Sequence, residues 1–201
     1  LTAPALLFRG LLWRARIFKA RIPVLHRHHV ARVHGDDQVE TIELMPINAN
    51  GTPLLKKKSI KFKSTSLIVG HGLIPSVEIS RLLKAKHLYR AKRGGWIPEI
   101  DAFQRTSISG LYVAGDCGGI SGAKTAALSG TIAGLRASFD SDMISQKTFQ
   151  DLYHLTERKK NKAERFGKQM GKLMSIRSGL LEGLTPDTIV CRCEDITYGQ
   201  I

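Results

Sequence analysis

The sequence of 201 residues has few cysteines and no long apolar run. Three cysteines do not make the disulfide framework of a small secreted domain, which favours a reducing, cytoplasmic environment. No uninterrupted apolar stretch reaches the length of about 20 residues that a bilayer-spanning helix needs, and the N-terminus lacks the layout of a secretory signal. We therefore expect a soluble, cytoplasmic protein.

Acidic residues are also scarce, since 17 Asp and Glu stand against 31 Lys and Arg and give a formal net charge of +14. An excess of this size raises the question of nucleic acid or an anionic membrane. The positive charges are spread over two predicted helices and one loop, which favours solvated faces over a single phosphate-binding surface. Nucleic acid is therefore not expected as a partner, whereas association with a membrane stays open. The basic clusters are Arg9, Arg14, Arg16, Lys19 and Arg21; Lys56, Lys57 and Lys58; and Arg158, Lys159, Lys160, Lys162 and Arg165.

A start methionine is missing as well, because the sequence opens with Leu1 and stops at Ile201 inside a patterned segment. We expect a fragment of a longer protein. Hydrophobic residues make up 42% of it, enough to bury one core and to begin a second.

The first 63 residues combine a helical pattern with short branched runs. Apolar residues recur at helical spacing between Leu1 and Lys19, with arginines between them, which predicts an amphipathic helix. The turn formers Gly35-Asp36-Asp37 and Asn50-Gly51 punctuate the stretch from 30 to 63, which predicts an antiparallel β-meander. The branched runs are Ile22–Leu25, Val30–Val33, Val39–Leu44 and Ile60–Phe62.

Beyond residue 64, two wholly apolar runs, Leu67–Val69 and Leu111–Ala114, predict strands that are buried on both faces of a sheet. Helical spacing predicts helices at 77–88, at about 123–138 and at 148–174. The glycines and the proline near residue 185 predict a linker and a domain boundary.

The segment from Thr106 to Gly130 joins a predicted strand, a loop with four glycines and a helix rich in small residues. Asp116 follows the strand directly, at the edge of a parallel sheet where ligands bind, and its carboxylate can accept a hydrogen bond from a sugar-like hydroxyl. The glycines leave the backbone unobstructed, and the first amides of the helix favour negative charge, such as the anionic edge of a reduced flavin. An ordinary strand-to-helix turn with Asp116 as the helix cap is an equal alternative. The loop glycines are Gly115, Gly118, Gly119 and Gly122, and the helix begins with Ala123, Lys124 and Thr125.

The run from Thr106 to Asp116 resembles the second flavin-binding motif of the pyridine nucleotide-disulfide oxidoreductase superfamily, in which a Thr precedes an apolar strand ending in Gly-Asp. The resemblance implies FAD as cofactor, with Asp116 on its ribityl chain and the amides near Ala123 and Lys124 facing the isoalloxazine ring. The implied cofactor-binding set is Gly115, Asp116, Gly122, Ala123 and Lys124. The family's first flavin fingerprint, G-x-G-x-x-G, is absent from the sequence, and we expect it upstream of Leu1.

Cys191 and Cys193 form a C-x-C pair in the string IVCRCEDIT. Two such thiolates can bind one [2Fe-2S] cluster, but a complete site needs four ligands. The string resembles the start of the bacterioferritin-associated ferredoxin-like (BFD-like) module, which implies that Cys191 and Cys193 are two of four cluster ligands, incomplete here. A chance pair or a zinc site is the alternative. Cys117 is expected to be a packing residue.

The string GGWIPEIDAFQRTSISGLYVAGDCGGISGA extends the resemblance to the A (alpha) subunits of the opine oxidase, proline or hydroxyproline dehydrogenase and hydrogen cyanide synthase group. It implies an FAD-dependent amine or amino-acid dehydrogenase subunit that acts on an opine-like, proline-like or glycine substrate. Such a protein relays electrons to an acceptor and pairs with a second flavoprotein subunit. The fragment alone is expected to be inactive, and its catalytic residues stay unknown. The alternatives are an NAD(P)H-dependent flavin and iron-sulfur reductase, and a basic nucleic-acid or membrane-binding module.

The fold implied by this family is α/β, a partial two-domain FAD/NAD(P)-binding fold with an antiparallel meander and a C-terminal helical region. We expect residues 1–63 to be the remainder of the nicotinamide-type domain and 64–140 the C-terminal half of the FAD-binding domain. Residues 141–185 are then a helical extension with a linker, and 186–201 the truncated start of the [2Fe-2S] module.

Overall fold

The computed structural model describes residues 4–174 and 177–201, which fall into two units. One unit contains residues 4–9 and 72–174, and the other contains residues 10–71 and 177–201. Helices and small antiparallel sheets make up both, as the α/β class predicts. No helix in the described part of the chain combines the length and the apolar composition that crossing a bilayer requires.

Helix α1 extends over Pro4–Lys19, as its spacing predicts. A proline at the first helical position leaves no backbone N–H without a partner there, which favours the start. Leu7, Leu11 and Phe18 share one side of the helix by their three- and four-residue spacing, whereas Trp13 lies on another side. None of its side chains is buried.

The meander predicted for residues 30–63 is confirmed. Strands β1 (His28–His34), β2 (Thr41–Pro46) and β3 (Ile60–Lys63) form an antiparallel sheet in the order β1-β2-β3. Ile42 on the central strand is opposite Val33 on one side and Phe62 on the other, and it is buried. The branched run at 22–25 adds no strand.

The other unit begins with a short helix and a hairpin. Helix α2 covers Glu78–Leu82, and strands β4 (His87–Arg90) and β5 (Gly95–Pro98) pair antiparallel. The helix predicted for 77–88 is therefore wrong in its second half. Lys84 adopts a left-handed conformation with φ of 59°, which ends the helix before the strand begins.

Helices α3 (Ala123–Asp140) and α4 (Gln146–Met174) pack against each other and hold the core of this unit, so the apolar pattern from 148 onward forms one long helix. Ile132, Phe149 and Tyr153 are its buried centre. Burying one such large side chain stabilises the fold by about 1.5–3 kcal/mol. Around them pack Phe103, Leu135, Phe139 and Ile144.

Neither of the two predicted central strands forms. Residues 67–69 have no strand structure, and Ile68 is 96% exposed. The stretch from Leu111 to Ala114 makes only one isolated antiparallel bridge, between Arg105 and Tyr112. A strand buried on both faces needs hydrogen-bonded neighbours along both edges, and the described residues supply only the segment 104–106 beside 111–113.

Two short elements close the chain. Residues Ser178–Gly183 form a 3-10 helix that contacts the loop at Asn50, since the amide of Gly179 donates to the Asn50 carbonyl at 3.0 Å. Strands β6 (Ile189–Cys191) and β7 (Ile196–Thr197) then form a small antiparallel hairpin that carries the C-x-C pair.

Candidate functional site

The Gly-Asp segment is a tight loop that only glycine can build at its ends. Gly115–Gly118 form one turn of 3-10 helix, with Gly115 at a φ of 82° and Gly119 at 112°. A Cβ on Gly119 would lie 2.6 Å from the Nε atom of Arg93, so both the backbone conformation and the space exclude larger residues. The loop therefore has one backbone path.

Ser129 on α3 ties this loop to the helix. Its hydroxyl accepts a hydrogen bond from the amide of Gly115 at 3.2 Å and donates to the carbonyl of Thr125 at 3.0 Å. Ser129 is 5% exposed. Sequence reasoning missed this residue, because a serine within a run of small helical residues gives no sign of which loop it meets.

Asp116 is exposed, and its carboxylate makes no hydrogen bond with any residue of the ranges 4–174 and 177–201. The alternative that it caps the following helix fails, because α3 begins after Gly122 without a side-chain cap. The fold itself thus has no use for this carboxylate. It remains available to a hydroxyl-bearing ligand.

The start of α3 has free backbone donors. The first helical hydrogen bond runs from the amide of Ala126 to the carbonyl of Gly122, so the amides of Ala123 and Lys124 have no acceptor within the helix. Gly122, Ala123 and Lys124 are exposed, and a Cβ on Gly122 would meet open space. These donors and the Asp116 acceptor fit a flavin, which offers both hydroxyls and an electron-rich ring edge.

The small residues of α3 do not pack on a sheet in the described part of the chain. The buried side of the helix consists of Thr125, Ser129 and Ile132, and it contacts α4. Gly130 and Gly134 lie on another side, where an added Cβ would have no neighbour within 4 Å. The sequence pattern was therefore right about the helix and wrong about which of its sides is covered.

A turn at Asp101 positions the segment that leads into the Gly-Asp loop. Its carboxylate accepts hydrogen bonds from the amides of Phe103 and Arg105, each at 2.9 Å, and from the Arg105 guanidinium at 2.7 Å. Burial raises the pKa of Asp101, but these hydrogen bonds outweigh burial and bring the pKa below its usual value. The turn is thus stabilised by an ionised Asp101.

A second polar group anchors the end of α3 to the same segment. The Tyr112 hydroxyl donates to the Asp140 carboxylate, which also pairs with Arg136. The hydrogen bond from Arg136, followed by that from Tyr112, lowers the pKa of Asp140. The Arg136 guanidinium also lies 5.2 Å from the ring centres of Phe103 and Phe139.

The two cysteines of the C-x-C pair lie side by side. Their Sγ atoms are 2.8 Å apart, a hydrogen bond between free thiols. That bond, and after it the amides of Glu194 and Cys193, lowers the pKa of the Cys191 thiol. Within the described ranges no group of three or more His, Cys, Asp or Glu side chains could hold a metal ion. Cys117 donates instead to the Ala114 carbonyl at 3.0 Å, which agrees with a packing role.

The sequence model of one family, "Pyridine nucleotide-disulphide oxidoreductase", matches residues 12–130, more than half of the chain. The chain belongs to this family. The family implies a flavin or a pyridine nucleotide as cofactor, and an oxidoreductase as the setting. The matched range contains the Gly-Asp loop and the start of α3, where the free acceptor and donors lie.

Curated relatives of this oxidoreductase are subunits of larger enzymes. Hydrogen cyanide synthase subunit HcnB of Pseudomonas protegens is 27% identical over the whole chain, which covers 42% of that protein. The A subunit of the opine oxidase of Agrobacterium tumefaciens is 33% identical over 72% of the chain and 28% of the relative, and that of Rhizobium meliloti 32% over 69% and 26%. The chain thus spans less than half the length of these relatives. No solved structure matches the chain.

Proposed function

We propose that this chain contributes the ribityl- and ring-binding part of an FAD site in an oxidoreductase subunit. The observation that carries the proposal is the exposed carboxylate of Asp116, which neither caps α3 nor pairs with another described side chain. A buried or capped Asp116 would have left the ribityl hydroxyls without an acceptor here.

Each residue of the predicted set has a physical role in this proposal. Asp116 accepts a hydrogen bond from the ribityl chain, and Gly115 and Gly122 keep side chains out of the cofactor's path. The free amides of Ala123 and Lys124 donate to the ring edge, where the helix dipole stabilises negative charge. FAD supplies hydride and electron acceptance when bound, while the chain holds and orients it.

The relatives support a substrate class. An opine oxidase and a hydrogen cyanide synthase are named among them. We therefore propose that the intact enzyme oxidises an amine or amino acid, opine-like, proline-like or glycine, and that a second flavoprotein subunit shares this reaction and the transfer of electrons to an acceptor. In this proposal residues 1–63 belong to the nicotinamide-type domain, 64–140 to the FAD-binding domain, 141–185 to a helical extension and 186–201 to a cluster module.

The FAD proposal is tested on the intact subunit by its flavin content and visible spectrum. Asp116→Ala should weaken FAD binding at least about tenfold, because a hydrogen bond to a charged group is lost. Asp151→Ala removes an exposed carboxylate from α4 and is the matched control. Normal FAD affinity in Asp116→Ala would reject the proposal. Reduction of the flavin by NADH or NADPH, with no response to amino acids, would favour a nicotinamide-dependent reductase.

We also propose that Cys191 and Cys193 are two of the four ligands of a [2Fe-2S] cluster in the intact protein. The support is the closeness of the two sulfur atoms, which lie 2.8 Å apart on one hairpin, together with the low pKa of Cys191. Iron and sulfide analysis of the intact protein should give two of each per subunit, as expected for [2Fe-2S]. Cys191→Ser should remove the visible cluster spectrum. Bound zinc without iron would refute the cluster.

A further inference from the structure

A small cavity of about 270 Å³ lies behind the Gly-Asp loop, within the unit that contains α3 and α4. Its wall includes Gly115 and Gly118 of the loop, and Asp116 is not among its lining residues. The cavity is therefore separate from the exposed Asp116 carboxylate. What marks it is an accumulation of donors.

Two positive side chains line the cavity, Arg93 from the β4–β5 hairpin and Lys160 from α4. Both are half-buried, and neither forms an ion pair within the part of the chain that the structure describes. Arg93 donates only a long hydrogen bond of 3.5 Å, to the carbonyl of Gly119. The one carboxylate in the wall, Asp101, is already occupied by Arg105 and by two amides. The cavity thus has a net positive charge.

Two deeply buried polar side chains face the same space without partners. Gln104 is 4% exposed and Thr125 is 3% exposed, and both line the cavity. Among the described residues, neither the Gln104 carboxamide nor the Thr125 hydroxyl forms a hydrogen bond. Buried polar groups are nearly always paired, since an unmade hydrogen bond costs about 1–3 kcal/mol. These two groups need a partner that the protein itself does not provide.

The backbone holds Gln104 in this place against its own preference. Its φ is 68°, a left-handed conformation that non-glycine residues rarely adopt. Its amide donates to Asp101, and its carbonyl accepts from the amide of Val113 at 2.9 Å. Strain of this kind persists where the surroundings impose it, and it is frequent at ligand sites.

We propose that this cavity binds a small oxyanion, a carboxylate or a phosphate, between Arg93 and Lys160. Its oxygens accept hydrogen bonds from the two cations, from the Gln104 carboxamide and from the Thr125 hydroxyl, and charge-assisted hydrogen bonds of this type are strong. Ser121 adds a further hydroxyl to the wall. Because Gly115 belongs both to this wall and to the Gly-Asp loop, the anion lies directly behind the candidate flavin site.

The test is calorimetric titration of the intact subunit with sodium phosphate, sodium acetate and sodium chloride at equal ionic strength. We expect saturable binding of one phosphate or one acetate per chain and none of chloride. Phosphate alone would identify a phosphate group as the ligand, and acetate alone a carboxylate, such as that of an amino acid. The absence of saturable binding with both would overturn the proposal.

Variants separate a built site from general attraction to a basic protein. Lys160→Met should weaken binding at least about tenfold, because a charge-assisted hydrogen bond is lost. Lys159→Met removes an exposed charge from the same helix and should leave the affinity unchanged. Equal weakening in both variants would contradict the site. Asp116→Ala should bind the anion like the wild type, so failure of the flavin proposal and failure of this one give different results.

Discussion

The hydroxyl of Ser129 accepts a hydrogen bond from the amide of Gly115 at 3.2 Å, and this contact joins the Gly-Asp loop to the buried side of α3. It couples the position of the loop to the packing of two helices. Any residue that binds a ligand through this loop is therefore held by the helical core, since α3 packs on α4.

Ser129→Ala should loosen this connection. The substitution leaves the amide of Gly115 without its partner, and we expect a loss of about 1–3 kcal/mol in the free energy of unfolding. Urea denaturation measures it. Thr131→Ala alters an exposed hydroxyl two residues further along the same helix and should change stability little. Equal effects of the two substitutions would mean that the loop contact contributes nothing.

Gly119→Ala should destabilise the loop by about 1 kcal/mol or more, because alanine is strained at a φ of 112° and its Cβ would meet Arg93. Thermal unfolding followed by circular dichroism measures the shift. An unchanged melting temperature would show that the loop can take another path.

Gly134→Ala should act in the opposite direction. Gly134 lies within α3 with nothing within 4 Å of the added Cβ, so alanine should stabilise the helix by about 1 kcal/mol. The measurement is best made on both the 201-residue chain and the intact subunit. Stabilisation in the first and destabilisation in the second would reveal that this side of α3 is covered in the longer protein.

The turn at Asp101 should be sensitive to acid. Its folded-state pKa lies below the usual value, so its contribution to stability is complete above about pH 4 and is lost as the pH falls through the lowered pKa. Asp101→Asn should lower stability at neutral pH and flatten its acid dependence. Denaturation midpoints between pH 2 and pH 6 test this, and an unchanged acid dependence in the variant would rule Asp101 out as the cause.

Cys191 should be the most reactive of the three thiols in iron-free protein. The hydrogen bond from Cys193 lowers its pKa, so more thiolate is present at neutral pH and alkylation by iodoacetamide should be faster than at Cys117. Cys193→Ala should move the pH profile of alkylation upward. Mass spectrometry of tryptic peptides follows each site, and identical profiles with and without Cys193 would contradict the thiol contact.

Local pattern was enough to predict much of this chain. Helix α1, the meander of β1 to β3, helix α3 and the long helix α4 all form where apolar spacing and turn residues predict them. Periodicity works there because each element is stabilised by its own backbone hydrogen bonds or by strands adjacent in sequence. The Gly-Asp motif with its neighbouring glycines was also legible, because only glycine tolerates the positive φ values of Gly115 and Gly122.

Only the tertiary structure decided what depends on distant partners. The apolar runs at 67–69 and 111–114 have the composition of buried strands, but strands need neighbours on both edges, and the described residues do not supply them. The contact between Ser129 and Gly115, and the burial of Gln104 and Thr125 beside Lys160, join residues far apart in sequence, so no local spacing could announce them. A short apolar run or a single polar residue has the same appearance whether it is covered or exposed, and packing alone distinguishes the two.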